Sequence, residues 1–260
     1  MTAATDDIAA TVRRHDPDRF LTALFAPAPR RDTLMVLYAF NHELARAREV
    51  ASDPTLALMR LHWWREVVEG APRHHEIATP LRRMIQAGSL DPAYLLPLIE
   101  ARDLEAYGDF FGDAEWRDWV LAGPGGLAVA AAAALGAPNP EVARPYGAAY
   151  GVAGLLRASG ALAARRRCLL PAALLARHGL VPEGFIEEPD GVAAQRALRE
   201  VAEIGLSFLR AAPAVPRAAV AAVLPAVLGR RDLRRWPKPP GPRRLGDRLA
   251  VTWAGLHGRL

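Results

Sequence analysis

The chain has 260 residues and a net charge of +5, with 51% hydrophobic and 23% charged residues, a balance that excludes a disordered or fibrous polymer. Its one cysteine, Cys168, excludes an intrachain disulfide and a cysteine-built metal site, and points to a reducing compartment. The apolar stretches are interrupted by Arg157 and by Pro213, Pro216, Arg217 and Pro225, so no transmembrane helix is expected, and the acidic N-terminus MTAATDD does not read as a secretory signal.

Residues 1–17 read as an N-terminal extension. Helices are then expected over 18–25 and 32–50. Asp53-Pro54, Asp91-Pro92 and Asn139-Pro140 each place a capping side chain before a proline suited to the first helical position. Apolar residues recur after each at three- and four-residue steps: Leu56, Met59 and Trp63; Leu95, Leu98 and Ile99; Val142, Tyr146, Ala149 and Ala153. Further helices are expected over 77–87, 113–121, 125–136, 171–178, 191–211, 217–229 and 244–257. No alternating strand pattern and no repeat stands out, so the fold class is all-α, in a single domain spanning 1–260. GGLAVAAAAALGA (125–137) and YGAAYGVAGLL (146–156) read as buried on every side; nearly free of bulk at several positions, they should form central helices whose backbones approach closely.

Polar residues supply the functional candidates. YAFNHELARARE (38–49) puts Tyr38, His42, Ala45 and Glu49 on one helical stripe, with Glu43, Arg46 and Glu49 at three-residue spacing. Arg165, Arg166 and Arg167 follow the small-residue helix that carries Arg157. Between Arg230 and Arg248 lie eight basic residues (Arg230, Arg231, Arg234, Arg235, Lys238, Arg243, Arg244 and Arg248) against Asp232 and Asp247, which leaves the rest of the chain near −1. Such a patch suits anionic lipid, a diphosphate or an acidic partner; the plainer alternative is a solvated loop. His74-His75-Glu76 lacks a third ligand at useful spacing, and Glu100, Arg102, Asp103 and Glu105 read as a charged helix face. GPGG at 123–126 lacks the lysine of a phosphate-cradling loop, and no nucleic-acid-binding module is present.

FLTALFAPAPRRDTLMVLYAFNHELARARE (20–49), LMRLHWWREVVEG (58–70) and GAAYGVAGLLRASGALAARRRCLLP (147–171) together resemble the squalene/phytoene synthase family. The resemblance implies an isoprenoid synthase-type helical bundle around a central cavity. It also implies chemistry that joins two prenyl diphosphates head to head, with magnesium ions held between two facing sets of aspartates. Laid on the family pattern, Ala45 and Arg46 stand at the first paired aspartates, with Glu49 at a third acidic position; Ala158 and Leu162 stand at the second pair. Arg157, Arg165 and Arg167 match the basic part of the second motif. A fixed guanidinium about 4 Å from a cation site repels a unit charge by about 4 kcal/mol at an effective dielectric of about 20.

Two readings of 38–49 stay open: a solvated ladder of ion pairs, or a remodelled anion site in which Tyr38, Arg46, Arg157, Arg165 and Arg167 hold a diphosphate without metal. AFNHELA (39–45) and LMRLHWW (58–64) resemble a group within the family that lacks the aspartates, the complex I (NADH dehydrogenase) assembly factors and their bacterial relatives. That resemblance implies a non-catalytic accessory protein, cytoplasmic and peripheral at a respiratory membrane. It would need no cofactor, its partners would be complex I subunits or assembly intermediates, and Arg230, Arg231, Arg234, Arg235, Arg243 and Arg244 would dock on anionic lipid or protein. The alternatives are a magnesium-dependent prenyltransferase using residual acids (Glu43, Glu49, Glu100 and Asp103) and a carrier that binds isoprenoid or lipid without turnover.

Overall fold

The computed structural model describes residues 3–49, 53–107, 112–237 and 241–258. All regular structure among them is helical, as the sequence predicts. The chain runs through α1 (Ala3–His15), α2 (Pro17–Ala23), α3 (Ala28–Glu49), α4 (Pro54–Val68), α5 (Ala78–Gln86), α6 (Pro92–Tyr107), α7 (Asp113–Ala122) and α8 (Pro124–Ala134). It continues through α9 (Arg144–Ala164), α10 (Ala172–Arg177), α11 (Pro182–Glu187), α12 (Val192–Arg210), α13 (Val220–Val223), α14 (Pro225–Arg235) and α15 (Leu245–His257). Two of the three aspartate/asparagine–proline starts cap as expected: Asp53 accepts from the Thr55 N–H at 2.7 Å and Asp91 from the Ala93 N–H at 2.9 Å. Asn139 makes no side-chain cap; Pro140–Ala143 form a 3₁₀ turn that leads into α9.

Helix α9 is the axis of the bundle, packed against α8, α12 and α14. Its small residues explain why. A Cβ at Gly147 would lie 2.4 Å from the Pro124 carbonyl oxygen and 2.6 Å from the Ala128 Cβ, so α8 and α9 touch backbone to backbone. On the other flank, Gly229 of α14 brings its own Cα so near that a Cβ there would meet the Tyr150 Cα at 3.0 Å. The expectation that 125–137 and 146–156 are central is met by Gly125 to Ala132 and by Gly147, Ala148, Ala149, Val152, Ala153 and Leu156, all buried, but Gly136 and Gly154 are exposed, so neither segment is buried on every side. Indole N–H groups tie the outer helices in, Trp116 donating to the Leu169 carbonyl at 2.9 Å and Trp119 to the Ala101 carbonyl at 3.0 Å.

The structure differs from the expected elements in three places. The N-terminal extension contains α1, which buries Ile8 and Val12 and packs on α3. Residues 182–187, between the helices expected over 171–178 and 191–211, form the short α11 around buried Phe185. The helix expected over 217–229 is broken: a 3₁₀ turn (Arg217–Ala219) and α13 end before Pro225, where α14 begins and continues to Arg235. Pro225 has no N–H to bond back along α13, and its ring excludes the carbonyl four residues earlier, so the chain restarts there with proline at the first helical position.

Candidate functional site

A cavity of about 950 Å³ opens beside α9. Gly151, Gly154 and Ala158 on α9 leave the space, and Leu127, Leu155, Leu162, Leu169 and Leu228 give it an apolar wall. The volume is at the upper end of the range for small-molecule sites. Ala158 and Leu162, the positions that the resemblance sets against the second aspartate pair, both face it, as does Arg157. From α3 the wall takes Asn41.

The polar rim joins the two ends of the chain. Asp18 of α2 receives the Arg243 guanidinium at 2.6 Å and the Tyr150 hydroxyl at 3.1 Å. The same guanidinium reaches Asp232 of α14 at 2.8 Å, and Arg157 reaches Asp232 at 3.4 Å. Arg243 and Asp18 are each 14% exposed at the side chain and Asp232 only 3%, so this bridge lies largely out of water. Burial works against the charge on Arg243, yet Asp18 and Asp232 more than compensate and drive its pKa above the ordinary arginine value. Burial, then Asp16 and Asp18, push the Tyr150 phenol well above its usual range, so it stays a hydrogen-bond donor.

The other carboxylates on the wall are matched in the same way. Asp16 caps α2 and pairs with Arg19 at 2.7 Å. Glu105 takes Arg102 at 2.5 Å and Arg167 at 3.2 Å. Asp247 takes Arg231 at 2.7 Å, Arg235 at 3.3 Å and the Arg244 N–H at 3.0 Å. Burial alone would raise the Asp247 carboxyl, but these donors outweigh it and hold the carboxyl below the ordinary aspartate value.

The sequence-predicted residues fall into distinct places. Arg157 is on the cavity wall and Arg167 backs it through Glu105. Arg165 is exposed in the turn after α9, where Arg166 adopts φ +58°. Tyr38 is not on the wall: it is 2% exposed, beneath the Arg19 guanidinium, and burial raises its pKa. Ala45 is not on the wall either, although it shares a helical face with Asn41: the cavity ends along α3 before reaching it. Arg46 is nearly half exposed and pairs with Glu43 at 2.9 Å, one rung of the ladder of ion pairs along α3. The side chain of Glu49 lies outside the described part of the structure, as does Lys238. Glu100 and Asp103 do not pair with each other but share Arg65, at 3.6 and 3.1 Å. The basic window is not one uniform patch: Arg231 and Arg235 serve Asp247, Arg243 is inside the rim, and Arg234 and Arg244 are exposed while Arg230 is half-buried.

Asp16, Asp18, Arg19, Asp232 and Asp247, the residues that form most of the rim, were not candidates. The capping pattern Asp16-Pro17 was the one local sign of them. Asp18 and Arg243 are 225 positions apart, and nothing in either neighbourhood announces the other.

Residues 12–254 match the family described as squalene/phytoene synthase. The chain belongs to that family. Its fold superposes on a dehydrosqualene synthase solved in complex with ligand, with a TM-score of 0.80 at 12% identity, covering 98% of this chain and 96% of that one. A squalene synthase, HpnC from Alicyclobacillus acidocaldarius, superposes with a TM-score of 0.67 at 17% identity over 98% and 94% of the two chains. At such identities the likeness speaks for the squalene/phytoene synthase fold alone. In sequence, a NADH dehydrogenase (ubiquinone) complex I assembly factor 6 from Mus musculus is 26% identical over 228 residues, 84% of this chain and 68% of its own length.

Proposed function

We propose that this member of the squalene/phytoene synthase family is a non-catalytic accessory factor in the assembly of respiratory complex I. The observation that carries the reading is the pairing of every carboxylate on the described cavity wall (Asp16, Asp18, Glu105 and Asp247) with at least one arginine. Magnesium needs several oxygen donors with lone pairs to spare. Here guanidinium groups neutralise these carboxylates and take part of their lone pairs, and Ala158 and Leu162 offer none, so the donor set does not fit the metal cluster of a prenyl diphosphate synthase. Among the described residues, no group of three or more His, Cys, Asp or Glu side chains is arranged to hold a metal ion. The likeness to the mouse assembly factor supports the accessory role from an independent direction.

Deleting the gene in its host is expected to lower membrane NADH:quinone oxidoreductase activity while leaving isoprenoid levels unchanged; unaltered oxidoreductase activity would overturn the assembly role. Purified protein incubated with magnesium and farnesyl or geranylgeranyl diphosphate is expected to release no pyrophosphate. Turnover in that assay would restore the transferase reading.

The cavity itself favours a second reading. A space of about 950 Å³ with leucine walls and an arginine-bearing rim suits an isoprenoid or other lipid chain held without turnover. Saturable binding of a prenyl diphosphate in the absence of magnesium, weakened by Leu162→Trp, is the expected sign of a carrier.

A further inference from the structure

We propose that the outward face of α15 docks the protein on bilayers rich in anionic phospholipid. This helix has two apolar faces. One is spent inside the molecule: Val251 and Ala254 are buried with Val220, Leu224, Val227 and Leu228. The other is in solvent. Leu245, Leu249, Trp253 and Leu256 are 72%, 58%, 56% and 67% exposed. At 100° per residue these four share an arc of about 80°, nearly opposite Asp247, Val251 and Ala254, and they run for about 16 Å along the helix. A ridge of three leucines and a tryptophan costs solubility and contributes nothing to the interior, so it calls for an occupant.

The charges around the ridge say which occupant. From Arg230 to His257 the chain has two acids, Asp232 and Asp247, and each is only 2% exposed and held by arginines inside the fold. Among the described residues of this segment the charges that reach solvent are therefore positive: Arg234 and Arg235 at the end of α14, the latter also paired with Asp247, and Arg244 and Arg248 at the start of α15. Folding has sorted a mixed segment into two buried acids, each held by arginines, and a set of guanidinium groups that reach solvent. Leucine and tryptophan side chains on the same helix as the exposed Arg244 and Arg248 match the boundary between headgroups and acyl chains, where the indole ring prefers to sit and phosphates meet the guanidinium groups. Among the described residues no helix is long and apolar enough to cross a bilayer, so the contact is peripheral.

This inference stands independently of the assembly role, and its test needs only the purified full chain. Wild-type protein is expected to co-sediment with phosphatidylcholine vesicles containing about one-third phosphatidylglycerol, far less with phosphatidylcholine alone, and less as salt screens the arginines. Leu249→Glu/Leu256→Glu is expected to lower partitioning by about tenfold or more with an unchanged thermal midpoint, since neither side chain is buried. Arg234→Gln/Arg248→Gln should keep what binding there is to neutral vesicles and lose the preference for the anionic ones. Wild-type indifference to the anionic vesicles, or equal binding by the leucine variant, overturns the proposal. So does a dimer of the wild type that the leucine variant converts to monomer, because the ridge is then a contact between two copies of this chain.

Discussion

Along α9, Gly147 lets α8 close to backbone distance, and Gly229 lets α14 come near the backbone of Ala149 and Tyr150. Along α15 the positions of comparable reach are Leu245, Leu249 and Trp253, and they meet solvent. Both helices are apolar, so hydrophobicity alone does not decide which becomes interior. Side-chain volume does: a helix stripped of bulk can be surrounded, and one that turns the smaller Val251 and Ala254 inward and carries leucine and tryptophan on the opposite face is covered only on the first.

That contrast breaks most readily at the seam of α8 and α9. Gly147→Val would set side-chain carbons against the Pro124 carbonyl and the Ala128 methyl, both on backbone that α8 holds in place, and should cost more than about 3 kcal/mol or prevent folding, as read by denaturant unfolding. Next is the rim. Arg243→Met leaves Asp18 and Asp232 without their shared cation, and a loss of about 3 kcal/mol is expected from the same measurement. An acid titration of stability sharpens the picture at α15. The Asp247 carboxyl is held low in the fold, so its contribution is present above the ordinary aspartate value and is lost as pH falls through its lower native value. Wild type should therefore lose stability below about pH 4 more steeply than Asp247→Asn, which starts less stable at neutral pH. The smallest effects belong to the surface: Leu249→Glu and Arg46→Ala should each move stability by less than about 0.5 kcal/mol. A large loss from Leu249→Glu would show that the outward face of α15 has a partner within the fold after all.

Local chemistry made much of the fold readable. Asp53-Pro54 and Asp91-Pro92 mark helix starts because cap and first-turn geometry are settled by adjacent residues, and the poverty of bulk in 125–137 and 146–156 announces their central place. The break at Pro225 was legible in principle, but the apolar periodicity running through it outweighed the proline. Helix α1 was missed because its apolar positions, Ile8 and Val12, are few and sit in a polar segment; α3 supplies the surface that covers them. The candidate site was less legible. Arg157, Ala158 and Leu162 reach the cavity as the family pattern implies, whereas Tyr38 and Arg46 do not, since helical spacing fixes which residues share a face but not where the cavity ends along it. The basic window misled in another way: counting Asp232 and Asp247 against the arginines treats all charges as surface charges, and the fold hides both acids.

The clasp formed by Arg243 with Asp18 and Asp232 has a kinetic side. Closing a loop of 225 residues costs about 5 kcal/mol of chain entropy beyond the constant for short loops, and no single ion pair offsets that. The seam of neighbouring helices α8 and α9 should assemble early, therefore, and the mouth of the cavity late, once α2 and the segment entering α15 have been carried together by everything between them. A chain caught before that last step would present a leucine-walled trough with Asp18 and Asp232 still short of their shared guanidinium, the state in which it would be most exposed to proteases and chaperones.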